Sequence, residues 1–360
     1  MYKALNLRKE VNSIDYNEEV LQIRQLFDSR FAIVSGTLTD NKLQIYDNKN
    51  IDPKNTNSFF TINELNSPIV SINQCTNQTL LVLTLDTNIY IIELLQDSKY
   101  SIIQTISAVQ SNINNNNNNE SNNSNNKNEK EDEKILYYKQ KNSRISTMVD
   151  YNSCVIMQLS NSLIFSIYDK TIKFYQVSII NNLYEQVKKI DLYDIFNEPL
   201  EIDSSTLILL SWSSQTIHVY NIDTQLLLKR IDQVNAYITV RISEEYFGAI
   251  GPKYVYLISV KEQEIRNLFN LPGGYEIRSA VLSPNNSIIC VSQTISSCDI
   301  VEFEIDVEEF KEIGKIVNPH KNSDYENEIK IGSSIINSLI ITYDNELISS
   351  GGDKKIKFWN

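Results

Sequence analysis

Short runs in which apolar and polar residues alternate recur along the whole chain. The last is the clearest. In Asp353-Lys354-Lys355-Ile356-Lys357-Phe358-Trp359, period two puts Ile356 and Phe358 on one face of a strand and Lys357 and Trp359 on the other. The same frame, an Asp followed by two polar residues and an alternating strand, opens at Asp40, Asp86 and Asp169. Weaker copies keep the strand at Ser214–Tyr220, Pro252–Ile258 and Cys298–Phe303, the last with Asp299 one place late. An apolar run precedes each frame, as in Phe31–Val34, Leu80–Leu83, Leu207–Leu210 and Ile288–Val291; Leu226–Ile231 is a run that follows one. Run, turn, alternating strand, turn and run predict antiparallel meander units packed face to face.

The frames begin at 40, 86, 169, 214, 252, 298 and 353, at intervals of 46, 83, 45, 38, 46 and 55 residues. The double interval holds an Asn-rich insertion. A period of about 40–45 residues with four short strands per unit predicts β-propeller blades. The expected fold is therefore all-β: a seven-bladed propeller of four-stranded antiparallel blades, with residues 1–360 as a single domain. The frame Asp residues are read as structural, their carboxylates accepting hydrogen bonds from turn N–H groups. Because the chain stops after the third strand of its last unit, Tyr2–Leu7 is expected to close the ring. Residues 2–8 would pair beside Ile356–Trp359 and cover an edge that would otherwise invite aggregation.

These units resemble the WD40-repeat family. The match is most specific from Ser349 to Asn360 and next clearest from Ser35 to Asp47. Where the family ends its third strand in Trp-Asp, this chain has Tyr46-Asp47, Tyr220-Asn221 and Trp359-Asn360. The family also favours a Gly-His pair early in each repeat. Here there is none, and His218 and His320 are the only histidines. The family's network joining His, turn Asp and Trp is therefore not expected in its standard form, and the blades are expected to be less rigidly specified. The resemblance implies a ring closed by both termini and a non-enzymatic scaffold or complex subunit that binds other proteins. A second implied role is substrate receptor of a ubiquitin ligase. That role uses a Trp-Asp-x-Arg ending, for which Tyr46-Asp47-Asn48-Lys49 is the nearest segment, altered at both key places. A third is a non-catalytic subunit of an RNA-modifying enzyme, which needs a basic strip.

Composition narrows the partners. The formal net charge is −12, which argues against a general nucleic-acid binder. Lys139, Lys141 and Arg144, and the pair Lys188-Lys189, read as solvated surface charge. Glycine and proline are scarce, at 9 and 7, so Asn, Ser and Asp are expected to supply turns. Residues 108–134, rich in Asn and then in charge, have nothing apolar to bury and are expected to form a disordered loop after the second blade. Behind them, Ile135–Tyr138 and Ile145–Val149 offer more strand material than one blade needs. Asn318–Glu328 reads as an exposed loop before the last blade. The N-terminus carries no secretion signal and Leu80–Leu95 is broken by charge, so cytosol or nucleus is expected, without membrane insertion.

No constellation for chemistry stands out, and no catalytic, cofactor-binding or metal-site residue is assigned. Cys75, Cys154, Cys290 and Cys298 lack metal-ligand spacing and read as buried thiols of a reducing compartment. Cys290 and Cys298 could meet across adjacent strands, without grounds for a disulfide. His218 lies in an alternating strand and His320 in a polar loop, neither with a nucleophile partner. Leu271-Pro272-Gly273-Gly274-Tyr275 reads as a turn, and Glu302, Glu304, Asp306, Glu308 and Glu309 as the polar face of a strand and its loop. Tyr137, Tyr138, Tyr184, Tyr193 and Tyr325 are candidate interface aromatics.

Overall fold

The computed structural model describes residues 10–359, apart from 47–58, 96–98, 108–154, 272–275, 284–286, 294–297, 321–335 and the positions 17, 38, 77, 161–162, 169–170, 193, 195, 197–198, 212, 237, 306–307, 318 and 343. Among the described residues there are 28 strands and no helix. Strand β1 (Glu10–Asp15) comes first and belongs to the last blade. Blade 1 holds β2 (Val20–Gln25), β3 (Phe31–Thr37), β4 (Asp40–Tyr46) and β5 (Phe59–Ile62). Blade 2 holds β6 (Ile69–Gln74), β7 (Thr79–Thr84), β8 (Asn88–Leu94) and β9 (Tyr100–Ser107). Blade 3 holds β10 (Val155–Gln158), β11 (Ile164–Tyr168), β12 (Thr171–Val177) and β13 (Tyr184–Asp191). Blade 4 holds β14 (Leu200–Asp203), β15 (Thr206–Ser211), β16 (Thr216–Asn221) and β17 (Leu227–Ile231). Blade 5 holds β18 (Ile238–Arg241), β19 (Tyr246–Ile250), β20 (Tyr254–Ser259) and β21 (Ile265–Asn270). Blade 6 holds β22 (Glu276–Leu282), β23 (Ile288–Gln293), β24 (Cys298–Ile305) and β25 (Phe310–Ile316). Blade 7 holds β26 (Ile336–Ile341), β27 (Leu347–Gly351) and β28 (Lys355–Trp359), with β1 as its outer strand.

The seven four-stranded sheets among the described residues are the predicted blades. Each sequence frame became a third strand, and each apolar run before it a second strand. First strands of successive blades touch, β26 with β2 and β6 with β10 for example, so they line the inside of the ring. The inner strand of blade 3 is Val155–Gln158. The strand-like segments 135–138 and 145–149, the 108–134 insertion and Cys154 lie outside the described residues.

Ring closure follows the expected logic with a shifted segment. The closing strand is Glu10–Asp15, antiparallel to β28, and residues 2–8 lie outside the described residues. Charge and burial explain this register. Ile14 faces Ile356, and both are buried in the core between blades 7 and 1. Glu10 pairs with Lys357 at 2.8 Å and Asp15 with Lys355 at 3.4 Å. The alternation that ends the chain thus meets a complementary alternation near its start.

Seven apolar clusters fill the seven blade-to-blade interfaces. Both faces of the middle strands are covered, which is why Leu80–Leu83 and Leu207–Leu210 are apolar at every position. Each such buried side chain contributes about 1.5–3 kcal/mol.

Turns use few glycines, as composition requires. Gln215, Gln225, Gln233, Gln263 and Lys354 adopt φ between 55° and 65° without being glycine. Gly251 is different. A Cβ there would lie 1.8 Å from the Asn235 carbonyl oxygen, so this backbone approach tolerates no side chain. Gly251→Ala is expected to destabilise the protein by about 2 kcal/mol or more through backbone displacement. A urea titration checks this, and an unchanged midpoint would contradict the packing described.

Candidate interaction surface

A hydrogen-bonded array in blade 7 has the connectivity of a nucleophile triad. His320 Nδ1 meets Asp353 Oδ1 at 2.8 Å, and His320 Nε2 meets Ser349 Oγ at 2.8 Å. Access separates it from catalysis. His320 and Ser349 are fully buried, and Trp359 Nε1 donates to Ser349 Oγ at 2.9 Å. With that oxygen occupied, the array is consistent with Ser349 donating to Nε2 and Nδ1–H donating to Asp353. Asp353 also accepts from Lys355 N at 3.2 Å. Two expectations are corrected here. The His–Asp–Trp network does form, and His320 is not in an exposed loop. The histidine arrives from the loop before β26 in a Pro-His pair, 33 residues ahead of Asp353, instead of in a Gly-His pair.

Blades 1, 4 and 5 use apolar or aromatic side chains at the same places. Strand register matches Ser349 to Ile33, Leu209 and Ala249, and Trp359 to Tyr46, Tyr220 and Ile258. Tyr16, Phe196 and Val234, each four residues before its blade's first strand, fill the histidine's place within the same apolar clusters. Tyr16 donates to Gln44 Oε1 at 2.7 Å and bonds to the Tyr46 hydroxyl. Burial and the neighbouring Tyr46 push the Tyr16 hydroxyl far up. In these blades a packed apolar substitute takes the place of the polar network, an exchange that is often neutral or stabilising.

His218 sits on β16, T-shaped against Phe196 at 4.8 Å between ring centroids. Its Nε2 lies 3.2 Å from Thr216 Oγ1 and its Nδ1 has no partner among the described residues. Burial, then Arg230, hold its pKa below the usual value, with Asp194 and Asp232 opposing. The sign follows from linkage. Above about pH 6.5 the imidazole is neutral in both states and contributes nothing to pH dependence. As pH falls through that value the unfolded chain takes the proton first, so stability drops until the folded value is passed. His218→Asn is expected to flatten the loss of stability between about pH 7 and pH 5. Parallel profiles for the two proteins would contradict it.

Several sequence candidates are dispersed or neutralised. Tyr46 is fully buried against Tyr16, and Asp47, Asn48 and Lys49 lie outside the described residues. Lys188 pairs with Asp223 at 3.8 Å and Lys189 with Asp191 at 2.8 Å, so this pair carries no free positive charge. Lys139, Lys141, Arg144, Tyr137, Tyr138, Tyr193 and Tyr325 fall outside the described residues. Tyr184 is partly buried between blades 2 and 3, where Gln104 of β9 accepts from its N–H at 2.7 Å and donates to its carbonyl at 2.8 Å. Cys290 faces Val301 and Cys298 faces Gln293, so the two thiols do not meet. Burial pushes the Cys75 thiol up to about 12. Glu302 is not on a polar face: it is fully buried and accepts from Ser287. Among the described residues no group of three or more His, Cys, Asp and Glu could hold a metal ion, and no helix is long and apolar enough to cross a membrane.

The surface anomaly is apolar. Among the described residues, nine of the fourteen exposed large apolar side chains belong to the outer strands of blades 3, 4 and 5 or the hairpins leading into them, and a tenth, Val177, ends β12 beside them. Ile179 and Ile180, at the tip of the β12–β13 turn, are 102% and 96% exposed. Leu226, Leu227 and Leu228 form an exposed run where the sequence suggested core. The hairpin turns here join third to fourth strands, so the meander places them at one end of the ring. Cross-blade bonds tie the outer strands of blades 3 and 4 to the hairpin of the next blade. Lys188 Nζ donates to Ile222 O at 2.9 Å, and Lys229 Nζ bonds to Glu264 at 3.1 Å. No pattern rule flagged this strip, since a strand's apolar run reads the same whether a blade or a partner covers it.

No family model matches the sequence. No curated protein matches it either. Solved structures do. The chain superposes on the WD40 β-propeller domain of Doa1 with a TM-score of 0.63 at 12% identity, covering 98% of this chain and 97% of that one. A chain of the mitotic checkpoint complex gives a TM-score of 0.65 at 10% identity, over 98% and 94%. The chain therefore has the fold of the WD40 β-propellers.

Proposed function

We propose that this chain is a non-enzymatic protein-interaction platform and a subunit of a larger complex, engaging proteins through the outer surface of blades 3 to 5. The observation that carries the reading is the concentration of exposed apolar side chains on these adjacent blades. Exposed apolar side chains concentrated in this way mark interaction sites on soluble proteins. The blade cores beneath it give a rigid base, so little ordering entropy opposes docking. The flanking lysines are paired, which favours a protein partner over RNA. Cys75, Cys290 and Cys298, none of them in a disulfide, support a cytosolic or nuclear setting.

The test is affinity purification from the protein's own cells with a tag placed within residues 111–134. Wild type and Leu227→Glu are compared by mass spectrometry, with thermal unfolding as a folding control. Surface substitution here is expected to change stability by no more than about 0.5 kcal/mol. Stoichiometric partners with wild type that disappear from the variant support the reading. The same partners with both proteins, or none with wild type, overturn it.

A further inference from the structure

We infer that the apolar strip on blades 3 and 4 docks a second copy of this chain, the turn tip of one copy seating on the leucine shelf of the other. This rests on the reading of the strip as a protein-binding surface and names its first occupant.

Shape is the first argument. The β12–β13 hairpin is longer than its neighbour. Ten residues separate Tyr175 from its partner Gln186, against six between Tyr220 and Leu227 in blade 4. Two extra residue pairs carry the tip roughly 7 Å further out. Ser178 and Asn182 close the tip by backbone bonds to Leu183 and Ser178, with Asn182 at φ 57°, so the projection is a formed turn. Beside it, the shorter blade 4 leaves Leu226, Leu227 and Leu228 as a step. A knob adjacent to a step is complementary to itself about a two-fold axis. Each Ile179-Ile180 tip then covers the other copy's leucines, as an isologous interface requires.

Charge is the second argument. The chain is strongly acidic, so most approaches of two copies are repulsive. The strip is an exception, because its four described cations are each paired locally, although Glu185 near the tip bonds only to the Asn181 amide. Lys188 pairs with Asp223, Lys189 with Asp191, Lys229 with Glu264 and Arg230 with Asp232. An anionic lipid surface or nucleic acid would find no unpaired cation among these. A neutral apolar face of the same kind fits, and the chain itself provides one. Gln104 already occupies the outward N–H and carbonyl of Tyr184, so the contact is made by side chains and not by strand addition at the β13 edge.

The experiment is sedimentation velocity of the full chain over a range of concentrations, with Ile180→Asp, Leu227→Lys and their equimolar mixture. Wild type is expected to dimerise with a dissociation constant in the micromolar range. Each variant alone should weaken this by at least about tenfold, with an unchanged melting temperature. In the mixture one tip–shelf contact is native, and the other sets the introduced aspartate of one variant against the introduced lysine of the other, so a heterodimer should return. That recovery requires the tip of one copy to meet the shelf of the other. Wild type that stays monomeric overturns the inference, and so does a mixture that stays monomeric. Wild type that is monomeric in buffer yet sediments with zwitterionic vesicles also overturns it and assigns the strip to lipid. A monomeric wild type whose partners are still lost in Leu227→Glu leaves the platform reading standing, which keeps the two failures distinguishable.

Discussion

His320→Ala is expected to lower the stability of the ring by about 2–5 kcal/mol, through the cavity left by a large buried side chain and the loss of two hydrogen bonds to buried partners. The substitution removes a fully buried side chain and leaves Asp353 with no imidazole, in a place where its second oxygen already lacks a partner among the described residues. Ser349 loses its acceptor at the same time, although Trp359 still donates to it. The informative comparison is the pair His320→Leu with Asp353→Ala. Blades 1, 4 and 5 hold Tyr16, Phe196 and Val234 at the equivalent place, so an apolar plug without a carboxylate is a solution this fold already uses. The double variant should therefore lose less stability than the single variants added together, with a coupling of about 1–3 kcal/mol. Urea unfolding of the four proteins measures it. Simple additivity would mean that the array is not one connected unit.

Ile14→Asp should have an effect of similar size and a different consequence. The side chain lies opposite Ile356 in the core between blades 7 and 1, and a carboxylate there has no counter-charge in that cluster. The expected loss is about 3–5 kcal/mol, by burial of an unpaired charge. Detaching β1 also leaves β28 with an unpaired edge, a template for pairing with other chains. Concentration-dependent aggregation near the melting temperature should accompany the loss. The surface variant Leu227→Glu should show neither effect. Light scattering during thermal unfolding separates the cases, and a stable, non-aggregating Ile14→Asp protein would contradict closure by β1.

The propeller is legible in the sequence because its signal is repeated. Each frame is a third strand and each apolar run a second strand, so a weak unit is supported by its neighbours in the series. The closing segment is harder to place because Tyr2–Leu7 reads as the more apolar strand, whereas Glu10–Asp15 is mostly polar. What places Glu10–Asp15 is pairing, with Glu10 and Asp15 forming ion pairs to Lys357 and Lys355 of β28, and that requires two distant segments to be read together. His320 misleads for a similar reason. A histidine amid Asn, Pro and Lys reads as solvent-facing, and its burial depends on Asp353 and Ser349, which are 33 and 29 residues away. Glu302 reads as surface by strict alternation, a rule that fails where both faces of β24 are covered by other blades. The apolar strip is invisible in principle. Leu226–Leu228 continue a run that ends in buried Ile231, and only the position of β17 at the outside of its blade exposes them.

A closed ring in which β1 and β28 form one sheet is the central claim, since that rigid frame is what holds the outer surface of blades 3 to 5 in place. Hydrogen–deuterium exchange of the intact protein tests it most directly. Amides of Glu10–Asp15 that pair with β28 should be protected to the same degree as those of β27 and β28, and should open with them. Exchange of residues 10–15 at the rate of an open chain, with β27 and β28 still protected, would contradict closure by this strand.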